Sequence, residues 1–504
     1  MLHDDFITQL LNMEDSLVKV DNIETDLTEK VKYIHISTKP VPAFCEKCGS
    51  RMHSNFFCAY LSVYSKGHDI RKPVHSMLQD GFKLVLVYKQ RRWKCTNPDC
   101  AFSCYEKISF LKKNRRCTDL VDMMIVDSFR DIRLTASQIA QKFHVSDTAA
   151  IYTFMRYVDM KRLPLTKAIC IDEVHIGSQD CRYAVIIQDF ITGEPIDMKQ
   201  SRKDSVMQPY LLSIPKKERL KVEFLVSDMF NAYISYAGKY FPNAVSVVDS
   251  FHVVQMINSK LKTYMISKEK EFKARDKERE RVLQLEKGNP GLHLPMSDEV
   301  YLYGRCRWVI LKNRDTLTCQ IPQKPDRHFR YFMDIYDYEE KFRKTDPQLM
   351  LMRDLKEEYI QFNSRNSGNR DNAEKELPLL IDKYLSSGVD EFADIARSLK
   401  KYYEPILNSF ITLERTGSKG PYHSRLSNGP MEGLNRKPKD MKRICRGFDN
   451  FEHLRNRFLF AERKNAPVLA SPRSISQVRD DSFTGAKRGS YTKSKNTLFK
   501  DSEP

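Results

Sequence analysis

The sequence predicts an α/β fold: a ribonuclease H-like core with a mixed sheet, interrupted by a helical insertion and preceded by a zinc-binding module and a helix-turn-helix. Three observations predict it. Apolar strand-like runs alternate with helical segments between residues 165 and 251, charged helix-prone segments follow to about residue 420, and paired cysteines precede both regions. Alternation of strands and helices is typical of a mixed α/β domain.

The length and charge of the chain narrow the class of partner. Its 504 residues favour three or four domains at roughly 150 residues each. The 84 Lys and Arg residues outnumber the 66 Asp and Glu residues, for a net charge of +18. Such an excess favours a polyanionic partner, because phosphate neutralisation drives much of nucleic-acid binding. A membrane-surface protein is the alternative, but the N-terminus MLHDDFITQL is acidic and the apolar runs are too short to span a bilayer.

Cysteine usage predicts a metal site. Twelve cysteines are too few for a disulfide scaffold in a chain of this length and favour a reducing compartment. Cys45 and Cys48 form a CxxC pair, and Cys95 and Cys100 form a second pair on a turn-rich loop. Four thiolates from two such hairpins suit tetrahedral Zn²⁺. One alternative is that these cysteines are unrelated buried thiols. Because four residues separate Cys95 from Cys100, another alternative is that Cys104 is a ligand in place of one of them.

The segment around these cysteines is basic and aromatic. Arg91 and Arg92 stand beside Tyr88 and Trp93 in a run rich in Lys and Arg. Basic side chains interleaved with aromatics beside a zinc knuckle predict contact with the DNA backbone. A solvated charged face is the alternative.

Residues 134–158 have the spacing of a helix-turn-helix. Ser137 is predicted to cap a first helix, His144 and Val145 to form a tight turn, and Ser146 to cap a second helix. This arrangement would bring four side chains of the second helix near a major groove: Ser146, Asp147, Thr148 and Tyr152. An ordinary helical hairpin is the alternative.

The third region has the strand order of the predicted core. Strands are expected at residues 167–174, 182–190, 194–200, 222–228 and 244–250, with helices near 204–213 and 230–240. Three successive strands, followed by helix, strand, helix and strand, are typical of a ribonuclease H-like core.

Acidic residues stand at the ends of two of these strands. Asp172 and Glu173 follow the apolar run AICI, and Asp228 ends VEFLVSD. In a ribonuclease H-like sheet these strand ends lie side by side. Their carboxylates could then clamp two divalent ions about 4 Å apart, which activate water in phosphodiester cleavage. An exposed strand terminus is the plain alternative for the first acidic pair.

A third carboxylate is needed, and Glu432 in SNGPMEGLN is the best candidate. Ser427 or Asn428 can cap a helix there and Pro430 suits its first turn, so Glu432 would project early from that helix. A capping-box glutamate is the alternative. Basic residues that would lie along phosphates follow: Lys439, Lys442 and Arg443.

These motifs resemble the DDE transposases of the ISL3 family of bacterial insertion sequences. The resemblance covers about residues 41–465 and rests on CEKCGS, RRWKCTNPDC, the IDE at 171–173, VSDMFNAYI, FPNAVSVVDSFHVV, RCRWVILKN and SNGPMEGLN. It implies a metal-binding triad of Asp172, Asp228 and Glu432, supported by Glu173, Asp249 and His252. The gap from Asp228 to Glu432 is too long for a plain ribonuclease H fold, and the resemblance accounts for it by a helical insertion.

The resemblance also implies cofactors, partners and location. We expect two Mg²⁺ or Mn²⁺ ions at the triad, one structural Zn²⁺, and double-stranded DNA as partner, both terminal inverted repeats and target. A homodimer or larger assembly on DNA in the bacterial cytoplasm, at the nucleoid, is expected, with no membrane association. Trp308 in the insertion is expected in the core, with stacking on a distorted base as the alternative. A non-catalytic regulator derived from a transposase and a ribonuclease H-like repair nuclease are the alternative functions.

The predicted domain boundaries are a leader at 1–40, the zinc-binding module at 41–117, the helix-turn-helix at 118–162, the first part of the core at 163–252, the helical insertion at 253–420, the second part of the core at 421–465, and a disordered basic tail at 466–504.

Overall fold

The computed structural model contains both helices and sheets, which confirms the predicted mixed α/β class. The structure describes residues 17–41, 43–55, 74–79, 82–89, 91–106, 109, 118–177, 182–317, 324–448 and 450–482. The chain divides into two units, residues 1–161 with 437–504, and residues 162–436. No helix among the described residues is both long and apolar enough to cross a membrane.

The N-terminal residues form part of a sheet. β1 (Val18–Asp26) pairs antiparallel with β2 (Val31–Thr38), and β2 pairs parallel with β6 (Phe82–Lys89), which pairs antiparallel with β5 (Val74–Gln79). Alternate side chains of β2 are buried, as expected of a strand with one covered face. The prediction of a separate leader therefore needs correction over residues 17–40, because β2 pairs with β6, which lies inside the module predicted at 41–117. Residues 1–16 of the predicted leader lie outside the described residues.

A second, smaller sheet carries the cysteine pairs. Its order is β3 (Ala43–Phe44), β4 (Arg51–Asn55), β7 (Arg92–Cys95) and β8 (Ser103–Tyr105), all antiparallel. Among the described residues, its buried cluster consists of Cys45, Met52 and Cys95, with partly buried side chains such as Trp93 and Phe102 packed against it. A core this small needs stabilisation beyond its hydrophobic contacts.

Three helices follow: α1 (Asp119–Ser128), α2 (Ala136–Lys142) and α3 (Asp147–Tyr157). His144 in the turn between α2 and α3 has a φ of 52°, a left-handed conformation. Ser146 caps α3 as predicted, by accepting a hydrogen bond from the N–H of Ala149. The cap of α2 is Thr135 and not Ser137, because Thr135 and Gln138 satisfy each other's backbone N–H groups in a capping box.

The second unit is built on a five-stranded mixed sheet. Its order is β11 (Pro195–Lys199), β10 (Tyr183–Asp189), β9 (Ala168–His175), β12 (Phe224–Ser227) and β13 (Val245–Val248). β9, β10 and β11 are antiparallel neighbours, whereas β12 runs parallel to both β9 and β13. Helices α4 (Asp204–Ser213), α5 (Lys216–Arg219) and α6 (Asn231–Tyr240) occur between the later strands, in the predicted order.

One face of this sheet packs against helices. Ile169, Ile171 and Leu225 of the sheet share a buried cluster with Leu211 of α4 and Tyr236 of α6. Because strand side chains alternate between faces, the residues between them on β9, including Cys170 and Asp172, belong to the opposite face. This second face carries the candidate site.

Helices dominate the region predicted as an insertion. They are α7 (Ser250–Glu286), α8 (Asp298–Arg305), α9 (Arg307–Leu311), α10 (Ile335–Thr345), α11 (Pro347–Arg365), α12 (Arg370–Leu385), α13 (Asp390–Lys401) and α14 (Tyr403–Asn408), with a 3₁₀ turn at Arg314–Thr316 and a small sheet of β14 (Lys324–Pro325) and β15 (Phe332–Met333). The expectation that Trp308 is a core residue is wrong, since its side chain is 39% exposed. It contacts only Tyr338 and Lys312 among the ring and cation contacts of the described residues.

A hairpin and a helix complete the second unit. β16 (Thr412–Gly417) pairs with β17 (Gly420–Arg425), and Arg415 donates a 2.6 Å hydrogen bond to the carbonyl of Phe190 beyond β10. α15 (Gly429–Ile444) begins in this unit, and its second half belongs to the first unit.

The C-terminal helices return to the first unit. α16 (Phe451–Glu462) packs Phe460 against Phe154 of α3, with ring centroids 5.6 Å apart, and α17 (Ile475–Ser482) follows. Arg473 donates to the carbonyl of Met155 at 2.7 Å. The predicted disordered tail therefore needs correction over residues 466–482, because backbone and guanidinium hydrogen bonds attach this segment to α3. The rest of the tail lies outside the described residues.

Candidate active site and metal centre

Two aspartates meet at one edge of the five-stranded sheet. β12 runs parallel to β9, pairing Leu225 with Ile169 and Val226 with Cys170. Continuing this register by two residues brings Asp228 opposite Asp172. Asp228 directly follows β12, as the sequence predicts, whereas Asp172 lies within β9, three residues before its last residue His175, and not at the predicted strand end.

The environment of Asp172 favours a bound cation. The pKa of Asp172 is raised to about 6, chiefly by burial and in addition by the negative charges of Asp228 and Glu173. His252 acts in the opposite direction. A buried carboxylate among like charges is stabilised in its charged form by a neighbouring cation.

Three N–H groups hold the Asp172 carboxylate. Its Oδ1 accepts from the backbone N–H of Glu173 at 2.7 Å. Its Oδ2 accepts from the side-chain amides of Asn428 at 3.1 Å and Asn435 at 2.8 Å. Both asparagines lie at or in α15, so these bonds attach that helix to β9.

Glu432 lies in the first turns of α15. The carbonyl of Asn428 accepts from the N–H groups of Met431 and Glu432, so Asn428 is the N-cap residue. A capping-box glutamate would lie three residues after the cap, whereas Glu432 lies four after it. The N–H of Asn428 donates instead to Oδ2 of Asp249 at 2.7 Å. The capping-box interpretation of Glu432 is therefore wrong.

Glu173 forms an ion pair that explains its acidic side chain without a bound metal. Both of its carboxylate oxygens accept from Arg202, at 2.7 and 2.6 Å. Glu173 is opposite Val185, whose side chain belongs to the helix-covered face of the sheet. Alternation along β9 therefore directs Glu173 to the face opposite that of Asp172.

Asp249 and His252 stand at the start of α7. Asp249 is buried and caps the helix by accepting from the N–H of Phe251 at 3.0 Å, while its other oxygen accepts from Asn428. Nε2 of His252 is a buried atom that has no hydrogen-bond partner among the described residues. Asp249 thus supports the backbone of two helices, and His252 adds a ring near Asp172.

The donor set suits a hard divalent cation. Carboxylate oxygens are the ligands that Mg²⁺ and Mn²⁺ prefer. Asp228 accepts one hydrogen bond, from Phe230 to Oδ1 at 3.0 Å. Within the part of the chain that the structure describes, Oδ2 of Asp228 and both oxygens of Glu432 have no hydrogen bond or ion pair. These oxygens can therefore take a cation without first losing a protein contact.

The three carboxylates do not form one tight cluster. Among the described residues, the group of His, Cys, Asp and Glu side chains whose ligand atoms all lie within 4.8 Å of one another is the cysteine quartet. Two ions about 4 Å apart are wider than a single-ion site. Ligands on opposite sides of such a pair need not approach one another within that limit.

The cysteine quartet consists of Cys45, Cys48, Cys95 and Cys100. The sulfur atoms of Cys45 and Cys100 are 3.7 Å apart, and those of Cys48 and Cys95 are 3.4 Å apart. The N–H of Asn97 points to the sulfur of Cys95 at 3.4 Å. This geometry is compatible with a structural zinc site of the predicted composition. Cys104 packs beside the cluster but is not a member of the quartet.

The candidate DNA-contacting residues of the first unit differ in their surroundings. Asp147 and Thr148 are exposed at the start of α3, Tyr152 is half-buried, and Ser146 uses its hydroxyl as the cap. Arg92 is exposed and donates to Ser103 at 2.9 Å.

Arg91 has a structural task. It is half-buried and donates to the carbonyl of Thr38 at 2.6 Å, beside Glu106.

On α15, Lys439 is exposed, Lys442 is half-buried, and Arg443 is exposed and pairs with Asp440 at 3.0 Å. Of these three side chains, Lys439 is thus exposed and not engaged in an ion pair like that of Arg443.

Sequence reasoning missed the contacts of Asn428 and Asn435. Asn428 was expected only as a possible helix cap, and Asn435 was not singled out. A usable signal exists in the motif SNGPMEGLN, because residues 428, 432 and 435 are spaced by four and three and share one helix face. Recognising their partner requires knowing that this face meets β9.

A family model for ISL3-type DDE transposases, described as a transposase, matches residues 169–458, more than half of the chain. The match extends from β9 into α16 and includes Asp172, Asp228 and Glu432. None of the curated proteins matches the sequence. The chain belongs to the ISL3 family of DDE transposases.

Proposed function

We propose that this transposase cuts phosphodiester bonds at the ends of its element and joins the freed 3′-hydroxyls to target DNA. Asp172, Asp228 and Glu432 would hold two Mg²⁺ or Mn²⁺ ions for both steps. Family membership supports transposition as the general activity. The residue assignment depends on the surroundings of Asp172.

One observation carries this assignment. Asn428 and Asn435 both donate to Oδ2 of Asp172, and Glu432 lies between them on the same face of α15. That face is therefore turned toward the part of β9 that bears Asp172, with Asp228 directly after the neighbouring strand β12. This supports Glu432 as the third ligand.

The order of the strands supports a ribonuclease H-like core. Three antiparallel strands are followed by two strands that run parallel to the first, in the order β11-β10-β9-β12-β13. In such a sheet, carboxylates at the ends of the first and fourth strands share one edge.

The proposed chemistry uses one site twice. Bound divalent ions would activate the nucleophile and stabilise the leaving oxygen. In cleavage, a water oxygen bonds to phosphorus while the bridging 3′ oxygen leaves. In strand transfer, that 3′-hydroxyl bonds to a phosphorus of the target while a target 3′ oxygen leaves. The three carboxylates serve both steps because only the nucleophile changes.

DNA recognition is assigned to the first unit. The cysteine-stapled sheet and the α2–α3 pair would read the terminal inverted repeats, with Asp147, Thr148 and Tyr152 near base edges. Exposed Arg92 and Lys439 would contact phosphates, and the net charge of +18 would add salt-dependent affinity. Two ends must be cut in concert, which favours a homodimer or larger assembly on DNA.

The test is cleavage of a labelled duplex that carries the element's own terminal repeats, with Mg²⁺ or Mn²⁺. We compare the wild type with Asp172→Asn, Asp228→Asn and Glu432→Gln. Each variant should bind the duplex normally and lose more activity than the roughly 100-fold typical of indirect metal supports. Glu173→Gln is the matched control on the same strand and should retain most activity, because Glu173 pairs with Arg202.

The opposite result would favour a regulator. If the wild type binds the repeats but never cuts with either metal, a non-catalytic DNA-binding role is the better assignment. If Glu432→Gln cuts normally while both aspartate variants are inactive, the third ligand lies elsewhere.

A further inference from the structure

The two asparagines of α15 make the same contact with Asp172. Nδ2 of Asn435 is 2.8 Å and Nδ2 of Asn428 is 3.1 Å from Oδ2 of Asp172. Asn428 is 1% exposed and Asn435 is 8% exposed. Two buried amides that converge on one carboxylate oxygen form a defined arrangement and not a chance surface contact.

Counting acceptor positions distinguishes the two oxygens of Asp172. A carboxylate oxygen offers about two lone-pair positions for hydrogen bonds or metal ions. Oδ2 has both positions occupied by Asn428 and Asn435, whereas Oδ1 has a single donor among the described residues, the N–H of Glu173. Oδ1 therefore keeps one acceptor position.

We propose that Asn428 and Asn435 are positioning residues, an amide clamp that fixes Asp172 so that Oδ1 alone coordinates the catalytic cation. The clamp rests on the proposed metal site and adds the means by which its geometry is set. Neither asparagine touches the scissile phosphate in this assignment. Both act through Asp172.

The clamp also fixes Glu432. Asn428 lies four residues before Glu432 and Asn435 three residues after it, so the helix segment bearing Glu432 is bonded to Asp172 on both sides. The N–H of Asn428 is bonded in addition to the buried carboxylate of Asp249. Asp172 and Glu432 are thereby connected by a rigid turn of helix before any metal binds.

The carbonyl oxygens of both amides are a further sign of a polar site. Oδ1 of Asn428 and Oδ1 of Asn435 are buried and have no hydrogen-bond partner among the described residues. A buried unsatisfied oxygen destabilises a fold unless water or another donor satisfies it. An asparagine that served only the fold could be replaced by an apolar residue without this penalty.

The experiment measures Mn²⁺ binding to the zinc-loaded full chain without DNA, by the electron paramagnetic resonance signal of free Mn²⁺. Asn428→Ala and Asn435→Ala should each weaken binding about 10- to 100-fold, the range found when groups that orient a metal ligand are removed. The Mn²⁺ concentration for half-maximal cleavage should rise in parallel, and saturating Mn²⁺ should recover most of the rate.

Asn408→Ala is the matched control. Asn408 is a buried asparagine of the same unit, 9% exposed, and its amide donates to the carbonyl of Ser246 at 3.0 Å. Its loss should lower thermal stability and leave Mn²⁺ affinity unchanged. In an Asp172→Asn background, Asn435→Ala should have no further effect on the residual Mn²⁺ affinity, because it acts through Asp172.

Two other outcomes would overturn the proposal, for different reasons. If both asparagine variants lose thermal stability as Asn408→Ala does but bind Mn²⁺ like the wild type, the clamp is only structural and the triad is unaffected. If Asp172→Asn binds Mn²⁺ like the wild type, the proposed metal site itself is wrong, and the clamp fails with it.

Discussion

The cysteine quartet permits a sharp prediction about metal content. In a tetrahedral site with Zn–S bonds of about 2.3 Å, the sulfur atoms lie about 3.8 Å apart. The sulfur pairs Cys45–Cys100 and Cys48–Cys95 are 3.7 and 3.4 Å apart. The four thiols are thus already spaced for a zinc ion, and we expect one zinc per chain.

Protonation should oppose zinc binding unequally at these thiols. Hydrogen bonding to Ser50 lowers the pKa of Cys48 to about 6, whereas burial raises the pKa of Cys95 to about 12. Zinc must therefore displace a proton from the buried Cys95 at neutral pH, and the affinity of the cysteine quartet for zinc should fall as the pH is lowered. Cys95→Ser should remove zinc completely and unfold the small sheet, because Cys95 is one of the three buried residues of its cluster, with Cys45 and Met52, in the part of the chain that the structure describes.

The assay combines zinc stoichiometry by elemental analysis with hydrogen exchange over the strands β3, β4, β7 and β8. Cys95→Ser should contain no zinc and exchange rapidly in all four strands. Cys104→Ser is the matched control: Cys104 packs beside the same cluster, and this variant should keep one zinc and its protection. Wild-type protein without zinc, or Cys104→Ser that loses zinc while Cys100→Ser keeps it, would refute the assignment of ligands.

Two further predictions concern pH. Because the folded-state pKa of Asp172 is raised from 3.8 to about 6, the folded state binds more protons than the unfolded state between these values. The free energy of unfolding without divalent metal should therefore fall by at most about 3 kcal/mol as the pH rises from 4 to 7. Added Mg²⁺ should restore stability at pH 7.5 more than at pH 5; equal restoration, measured by thermal unfolding, would contradict the argument. His453, buried among Phe129, Phe154 and Phe448, has the opposite shift, since burial lowers its pKa from 6.5 to about 4. Stability should therefore be lost as the pH falls from 7 toward 4, by about 3 kcal/mol, and His453→Phe should abolish that loss in acid-unfolding curves.

Local patterns in the sequence predicted the features that depend on neighbours along the chain. The order of strands in the core, the cap at Ser146 and the grouping of four cysteines were all predicted and are present in the structure. The cap at Thr135 was missed although its signal is local: Thr135 is followed three residues later by Gln138, the spacing of a capping box. Ser137 lacks such a partner.

Features that depend on distant parts of the chain were predicted less well. Residues 18–38 were predicted to be part of a leader because the strand with which they pair, β6, begins only at Phe82 and is not identifiable from the neighbouring sequence. Trp308 read as a core residue because α9 has five residues, too few for a helical period to separate its buried and exposed faces. In both cases the deciding contact is tertiary. Alternation along β2 indicates a strand, but a single sequence does not identify the strand with which it pairs.

The acidic residues of the site could likewise not be ranked from the sequence, but their contacts in the structure distinguish them. Asp228 and Asp249 flank elements, whereas Asp172 lies within β9 and Glu432 within α15, and composition alone does not rank the four. The structure separates them by what their oxygens already bind. Both oxygens of Asp249 accept from backbone N–H groups, whereas Asp228 keeps one oxygen and Glu432 keeps two without a hydrogen bond or ion pair among the described residues.

That difference assigns roles on physical grounds. An oxygen that accepts no hydrogen bond has both of its acceptor positions available to a cation, whereas an oxygen engaged by one backbone N–H keeps a single position. Asp228 and Glu432 are therefore suited to hold ions, and Asp249 to hold the helices that present them. Asp172 stands between these cases: its Oδ2 is occupied by two amides and its Oδ1 by one backbone donor, so it can support α15 and bind a cation at the same time. A carboxylate with both tasks explains why the segment SNGPMEGLN has an asparagine on either side of its glutamate.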